Sequence, residues 1–209
     1  MKLYRYGDGA LYVDLEMDDA PSRADATHAV AAALRERLPE ADVVVGAGNL
    51  AVVGLGAWDD LEGLVVEAMR ARAPARDAAK VHAIEAVYDG PDLDEVAGLA
   101  GLSPRDVADL HASVEYTVEL VGFLPGFAYL ASVDPRLVVP RRPVPRPRVE
   151  GGSLGIAGTY TGIYPFASPG GWRLIGHAID ANVFDPTRNP PALFAPGDRV
   201  RFTPRPRDG

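Results

Sequence analysis

The sequence contains no cysteine and only two lysines among its 209 residues. The absence of cysteine excludes disulfide bonds, cysteine nucleophiles and thiolate metal sites. Neither Lys2 nor Lys80 follows a glycine-rich loop, so the chain has no Walker-type site for the phosphates of ATP. We therefore expect no cofactor to be bound by this chain. If ATP is used, another polypeptide must hold it.

Long apolar runs are also missing. No window approaches about eighteen uninterrupted apolar residues, the length of a membrane-spanning helix. The N-terminal residues alternate apolar with polar, whereas a signal peptide would need an apolar block. At 47% hydrophobic residues the chain still has enough apolar side chains for a core. We expect a soluble cytoplasmic protein with no membrane partner.

Charge is distributed unevenly along the chain. Residues 1–120 hold 23 acidic side chains against 10 basic ones, whereas residues 121–209 hold 6 against 11. This asymmetry predicts two domains, of which the second prefers small anions or acidic surfaces. The one candidate recognition helix, Pro104 to His111, offers a single arginine against two aspartates, so we expect no nucleic-acid partner.

The first 80 residues predict a small α+β domain. A hairpin is indicated around Gly7-Asp8-Gly9, and a helix capped at Ser22 is predicted to run to Pro39. Two short strands and a second helix, capped by Asp59, complete the pattern. We place the domain boundary between residues 75 and 85, which gives domains of residues 1–80 and 81–209.

The second domain is predicted to be a β-barrel. Two short helices come first, Leu93 to Ala100 and Pro104 to Ala112, the latter with Ser103 as its N-cap. Beyond residue 124 the sequence holds 14 of the 19 prolines and shows no long helical period. A closed or nearly closed barrel pairs many short strands without exposed edges.

Glycine, proline and aromatic residues are dense between Tyr116 and Trp172. Pro125 and Gly126 force a turn that displays Phe123, Phe127 and Tyr129, and four arginines follow between residues 141 and 148. These arginines form either a solvated basic loop or a fork for a carboxylate, and the sequence leaves both open. Aromatic walls, turns and arginines together predict a ligand-binding cleft in this half of the chain.

The predicted substrate-binding residues are aromatic residues and arginines of this segment: Phe123, Phe127, Arg141, Arg142, Tyr164, Trp172 and Arg173. The sequence does not identify the catalytic residue, and His177 and Arg173 are the candidates. His177 is included because an imidazole can accept or donate a proton near neutral pH. The four histidines lack metal-ligand spacing, so no metal site is predicted. Ser153 matches a nucleophile-elbow pattern, but no helix is predicted after it, which favours a barrel residue.

Several motifs carry a family resemblance. The segments LHASVEYTVELVGFLPGFAYL, PRRPVPR, GSLGIAGTYTGIYP and SPGGWRLIGH resemble the B subunit of bacterial 5-oxoprolinase, a family also described as KipI-like or as allophanate hydrolase subunit 1. The resemblance implies a cyclophilin-like barrel. It also implies a non-autonomous enzyme component that acts on the small molecule 5-oxoproline with homologues of the C and A subunits, where ATP is used by the complex through another chain.

Two alternatives remain open at this point. A KipI-like protein would bind and inhibit a sensor histidine kinase, so the same fold would be a binding module rather than an enzyme component. An allophanate hydrolase subunit 1 is the other reading, although the glycine-rich serine signature of amidases is missing.

Overall fold

The computed structural model of the chain describes residues 1–7, 9–17, 20–54, 61–70 and 79–206. Contacts divide the chain into two units, Met1–Ala79 and Lys80–Gly209. Asp8 of the predicted hairpin turn and the predicted helix cap Asp59 lie outside the described residues.

The first unit contains a four-stranded antiparallel sheet in the order β1-β2-β4-β3. Its strands are β1 (Lys2–Tyr6), β2 (Ala10–Asp14), β3 (Asp42–Val45) and β4 (Asn49–Val53). Alternate residues point to opposite faces of a strand, and Leu11, Val13, Leu50 and Val52 are all buried on one face. The alternation seen in the sequence therefore fixes which face of this sheet forms the core.

Two helices pack into the same core: α1 (Ala20–Arg37) and α2 (Leu61–Arg70). Helix α1 places Val30, Ala31 and Leu34 against the sheet. It begins at Ala20, so the assignment of Ser22 as its cap was wrong. The reason is Pro21, whose fixed φ suits a first helical turn and lets the helix start earlier.

The second unit is a closed barrel of seven strands in the order β10-β7-β6-β13-β5-β12-β9. Neighbouring strands are antiparallel except β13 and β5, which are parallel. The strands of this unit, including the separate pair β8 and β11, are β5 (Val81–Val87), β6 (Glu115–Val121), β7 (Ala128–Ala131), β8 (Arg146–Val149), β9 (Ser153–Ala157), β10 (Tyr160–Ile163), β11 (Ser168–Gly170), β12 (Arg173–Ala178) and β13 (Arg199–Pro204).

Two helices of this unit, α3 (Leu93–Ala100) and α4 (Pro104–Ser113), pack on the barrel core. Ser103 caps α4 as predicted and forms a capping box with Asp106. A short 3-10 helix covers Pro135–Leu137. The predicted fold class, a small α+β unit followed by a cyclophilin-like β-barrel, is confirmed. Within the described ranges, no helix has the length and apolarity needed to cross a bilayer.

A completely buried histidine lies in the barrel core. His111 Nε2 is 2.9 Å from the Thr161 hydroxyl, which itself donates to the carbonyl oxygen of Gly155. Thr161 must therefore accept from the imidazole, so His111 carries its proton on Nε2. His111 Nδ1 then accepts from the Tyr88 hydroxyl at 2.8 Å. Burial lowers the pKa of His111 to about 3, so the ring is neutral at ordinary pH.

We predict that His111 makes barrel stability depend on pH. The unfolded chain protonates this ring below about pH 6.5 and the folded chain does not, so stability is full above that pH and falls as the pH drops towards 3. At pH 4.5 the loss from this group is about 2–3 kcal/mol. Urea unfolding of wild type and His111→Gln at pH 7 and 4.5 measures it. Parallel pH dependence of the two proteins would contradict the prediction.

Candidate functional site

Aromatic side chains cover part of the barrel on the side opposite its core. In β9, Leu154 and Ile156 belong to the barrel core, so Gly155 points away from it. A second apolar cluster forms there. This cluster contains five aromatic residues, which we call the aromatic face: Phe127, Tyr129, Tyr160, Tyr164 and Trp172.

Phe127 lies at the centre of the aromatic face. Its ring centroid is 5.2 Å from that of Tyr129, 5.3 Å from Tyr164 and 5.2 Å from Trp172. The ring planes meet at 71° to 83°, the edge-to-face arrangement that aromatic rings favour. Such interlocked rings have little freedom to rearrange. The aromatic face is therefore a rigid wall.

Two glycines let the indole ring lie directly on the strands. A Cβ added at Gly162 would come within 2.8 Å of the Ala128 carbonyl oxygen and 3.3 Å of the Trp172 ring. A Cβ at Gly155 would lie 3.2 Å from Trp172 Cβ. The glycine-rich pattern of this segment is thus required by the close approach of a large ring to the backbone.

A turn displays one further aromatic ring beside this wall. Phe123 has a φ of 73°, an unusual backbone conformation for a non-glycine residue, and it is 62% exposed. Its ring contacts Phe127 edge to face at 5.6 Å. The turn is closed by hydrogen bonds from Gly122 N to Phe127 O and from Phe127 N to Leu124 O, each 3.0 Å. The exposed ring is therefore held in a fixed position.

A buried carboxylate organises residues 141–148, which hold four arginines and which we call the arginine loop. Asp92 accepts from Arg142 Nη1 at 2.9 Å, from Arg146 Nη2 at 2.6 Å and from the Leu174 amide at 2.7 Å. Burial alone would raise the pKa of Asp92, but these donors and the two positive charges outweigh burial and lower it. One carboxylate thus joins the start of α3, the arginine loop and β12.

Arg173 is also committed to protein partners. Its Nε donates to the Pro140 carbonyl oxygen at 2.9 Å, and its Nη1 lies 2.5 Å from Glu95 Oε2. Arg142 Nε and Arg146 Nη1 are buried and have no acceptor in the described part of the chain. Arg142, Arg146 and Arg173 are therefore committed mainly to contacts within the protein.

Arg141 differs from its neighbours. Its side chain is exposed and makes no ion pair with any of the described residues. Burial raises the pKa of Tyr164, while the Trp172 amide and the positive charge of Arg141 oppose that rise. Arg141 is thus near enough to the buried edge of the aromatic face to act on it electrostatically. Of the four arginines between residues 141 and 148, it alone has no ion pair with a described residue.

The other candidate residue, His177, has an acid partner of its own. Its Nδ1 lies 2.9 Å from Asp89 Oδ1, and its side chain is 49% exposed. It stands opposite Ser153 in the ladder of β12 and β9, and Ser153 is a barrel residue as the sequence indicates. The structure thus brings together Phe123, Phe127, Tyr164 and Trp172. Arg173 directly follows Trp172 in sequence, but its guanidinium group binds Pro140 and Glu95. Within the described residues, no ring contact joins His177 to this cluster.

Comparison with known proteins identifies the family. The family model described as "Carboxyltransferase domain, subdomain C and D" matches residues 1–194. The chain belongs to this family. The resemblance to the 5-oxoprolinase B subunit is confirmed as well: the protein of that name from Haemophilus influenzae is 40% identical over 167 residues, which cover 77% of this chain and 78% of that protein.

Other relatives match this carboxyltransferase-family chain over a smaller share of their length. The 5-oxoprolinase B subunit of Escherichia coli O157:H7 is 54% identical over 116 residues, 56% of this chain and 53% of that protein. The chain thus matches about half the length of this curated relative. The crystal structure of TTHA0988 superposes with a TM-score of 0.78 at 38% identity, over 95% of this chain and 40% of that one.

Several site residues of this carboxyltransferase domain escaped the sequence analysis: Asp92, Glu95, Glu119 and Tyr160. The two acids that hold the arginine loop lie at the start of α3 and within it, and their pairing across more than forty residues leaves no local pattern. Glu119 did carry a signal, because it is a charged residue between the apolar residues Val118 and Leu120. No group of three or more His, Asp or Glu suited to a metal ion occurs among the residues described.

We predict that Asp92→Ala strongly destabilises the barrel unit. The substitution leaves two partly buried guanidinium groups and the Leu174 amide without their acceptor, which typically costs about 3–5 kcal/mol. Glu150→Ala is the matched control, because the Arg148–Glu150 pair is exposed to solvent and contributes little to stability. Urea denaturation compares the two. Equal losses from both substitutions would show that Asp92 does not anchor the loop.

Proposed function

We propose that this chain is the B component of an ATP-dependent 5-oxoprolinase, which opens the lactam of 5-oxoproline to L-glutamate with partner subunits. The observation that supports this most is the similarity to a 5-oxoprolinase B subunit over 78% of that protein's length. The same proposal places the protein in the cytoplasm. We propose that ATP binds a different chain of the complex, because this sequence has no phosphate-binding loop.

The chemistry of 5-oxoproline fits the aromatic face and Arg141. The substrate is a small, nearly flat ring that bears one carboxylate. A rigid aromatic wall suits such a ring, and a guanidinium group binds a carboxylate through two parallel hydrogen bonds. Arg142 and Arg173 are held by Asp92, Glu95 and a carbonyl oxygen, so their role is to position the loop that carries Arg141.

We propose that His177 transfers the proton in this reaction. If Nδ1 donates to Asp89, the lone pair of Nε2 is left to act as a base. Lactams are poor electrophiles, so ring opening needs activation as well as a base. Coupling to ATP in a partner chain provides that activation, which explains why the chain would work only within a complex.

We predict that Arg141→Ala raises KM for 5-oxoproline in the assembled enzyme. Loss of a charge-assisted hydrogen bond to the substrate carboxylate should reduce kcat/KM by about 10- to 100-fold. Arg141→Lys should recover part of the activity, since it restores the charge without the planar fork. Arg148→Ala is the control, because Arg148 pairs with Glu150 on the surface. Unchanged kcat/KM in Arg141→Ala would exclude this role.

Partner chains are part of the proposal, namely a homologue of the 5-oxoprolinase C subunit in direct contact and a homologue of the A subunit. In TTHA0988 this fold makes up only 40% of the polypeptide, so there it is accompanied by further sequence in the same chain. We propose Phe123 as the anchor for the C-subunit homologue, because a fixed, exposed aromatic ring loses little freedom on binding.

We predict that the purified chain alone does not hydrolyse 5-oxoproline. We also predict that Phe123→Ala weakens the complex between this chain and the C-subunit homologue by about 10- to 30-fold. Leu99→Ala is the control, because Leu99 is 53% exposed but lies on α3. Calorimetric titration measures the affinity. Turnover by the single chain would overturn the proposed function, and inhibition of histidine kinase autophosphorylation would support a regulatory role instead. An unaltered affinity in Phe123→Ala would place the interface elsewhere.

A further inference from the structure

The sheet of the first unit has two apolar faces, and the described helices α1 and α2 pack on one of them. On that face, Leu11, Val13 and Val52 share a core with both helices. An antiparallel sheet with one covered face commonly presents polar side chains to water on the other. Here the other face carries tyrosine, valine and alanine side chains, which is the pattern of a sheet that lies between two layers.

Strand register defines this second face. Residues directly opposite each other on neighbouring strands point to the same side of a sheet. One row crosses all four strands and consists of apolar and aromatic residues: Tyr4, Tyr12, Ala51 and Val44. The adjacent row consists of Tyr6, Ala10, Val53 and Asp42. We call these two rows the outer face of the sheet.

Large side chains of the outer face are exposed. The exposed fraction is 77% for Tyr6, 49% for Tyr4 and 42% for Val53. The rings of Tyr4 and Tyr12 pack together with their centroids 6.1 Å apart, so they form one continuous surface. Contiguous exposed apolar surface of this kind typically marks a site of interaction. The exposure therefore indicates a contact surface.

The charges around the outer face are mainly acidic. Asp42 ends the second row, and Asp14 stands opposite Lys2 in the row beyond Tyr4. The charge of Lys2 is already paired with Glu16. Residues 1–79 as a whole hold 14 acidic side chains against 8 basic ones. Two copies of this face would bring like charges together, so the charges disfavour a second copy of the chain and favour a basic partner.

We propose that the outer face binds an amphipathic helix of a partner protein, with the apolar side of the helix on the tyrosines and basic side chains at its margins. The dimensions fit, because four strands span about 14 Å and one α-helix is about 10 Å wide. A strand added at the edge of β1 would leave the apolar side chains uncovered. This inference concerns the first unit alone and does not depend on the proposed enzyme function.

Two matched peptides test this surface in the full-length chain. Both are amphipathic helices of about 18 residues with the same leucine face, and their flanks carry lysine in one and glutamate in the other. Fluorescence anisotropy of the labelled peptides measures Kd. The lysine peptide should bind about tenfold or more tightly than the glutamate peptide, because its charges complement the acidic margins. Asp42→Asn should reduce that preference.

Val44→Arg is the decisive variant, and Val81→Arg is its matched control. The two valines are similarly exposed, at 55% and 58%, but Val81 lies on β5 of the barrel unit. Both substitutions change the net charge equally, so only a local contact can separate their effects. Val44→Arg should weaken binding of the lysine peptide by about tenfold or more, whereas Val81→Arg should bind it like wild type. Tyr6→Ser should also weaken binding.

Three results would overturn the proposal. The first is equal affinity of wild type for the two peptides. The second is equal affinity of folded Val44→Arg and Val81→Arg for the lysine peptide. If Val44→Arg does not fold, Tyr6→Ser takes its place, and unchanged binding in that variant counts against the proposal in the same way. The third is a wild-type dimer in sedimentation velocity that Val44→Arg makes monomeric, which would assign the outer face to a second copy.

Discussion

The carboxylate of Asp92 is the interaction on which the candidate site depends. It is buried at the start of α3, and three donors from two other parts of the chain converge on it. A buried charge is tolerated only when its partners are complete, so the loop and strand that supply those partners must be in place. The anchored loop positions Arg141, and the anchored strand follows directly after Trp172. A single ion cluster thus connects the helix layer with the aromatic face.

The barrel uses its two surfaces for different purposes. The interior holds an apolar core and the neutral His111 network, which contribute stability. The opposite side carries the aromatic face, made possible by glycines that let Trp172 reach the backbone. Because residues alternate between faces along each strand, the same few strands serve both. Substitutions that alter binding can therefore be separated from substitutions that alter folding.

The division of labour in the proposed enzyme follows from what this chain provides. It has rigid aromatic walls, an exposed arginine and a buried carboxylate, which are groups for binding and orientation. Its sequence offers no phosphate-binding loop and no recognisable pairing of a nucleophile with a base, so activation is assigned to another polypeptide. A binding surface with fixed rings also suits contact with that polypeptide, since little conformational freedom is lost when it docks.

By itself the sequence determined the kinds of element and the fold class. Strand alternation, the Ser103 cap and the density of proline beyond residue 124 are local signals, and they led to the α+β unit and the barrel. The resemblance carried by the glycine- and aromatic-rich motifs led to the family. The aromatic residues and arginines of the candidate site were also recognisable, because their density between turns is unusual for a core.

Only the tertiary structure decided which arginine remains available and which acids hold the others. Asp92 meets Arg142 and Arg146 across about fifty residues, and no local pattern encodes such a pairing. The β-bulge at Glu119 in β6 depends on strand register, which is set by the partner strand rather than by β6 alone. Sequence periodicity records which residues are apolar, whereas the identity of each contact is fixed only when distant segments pair.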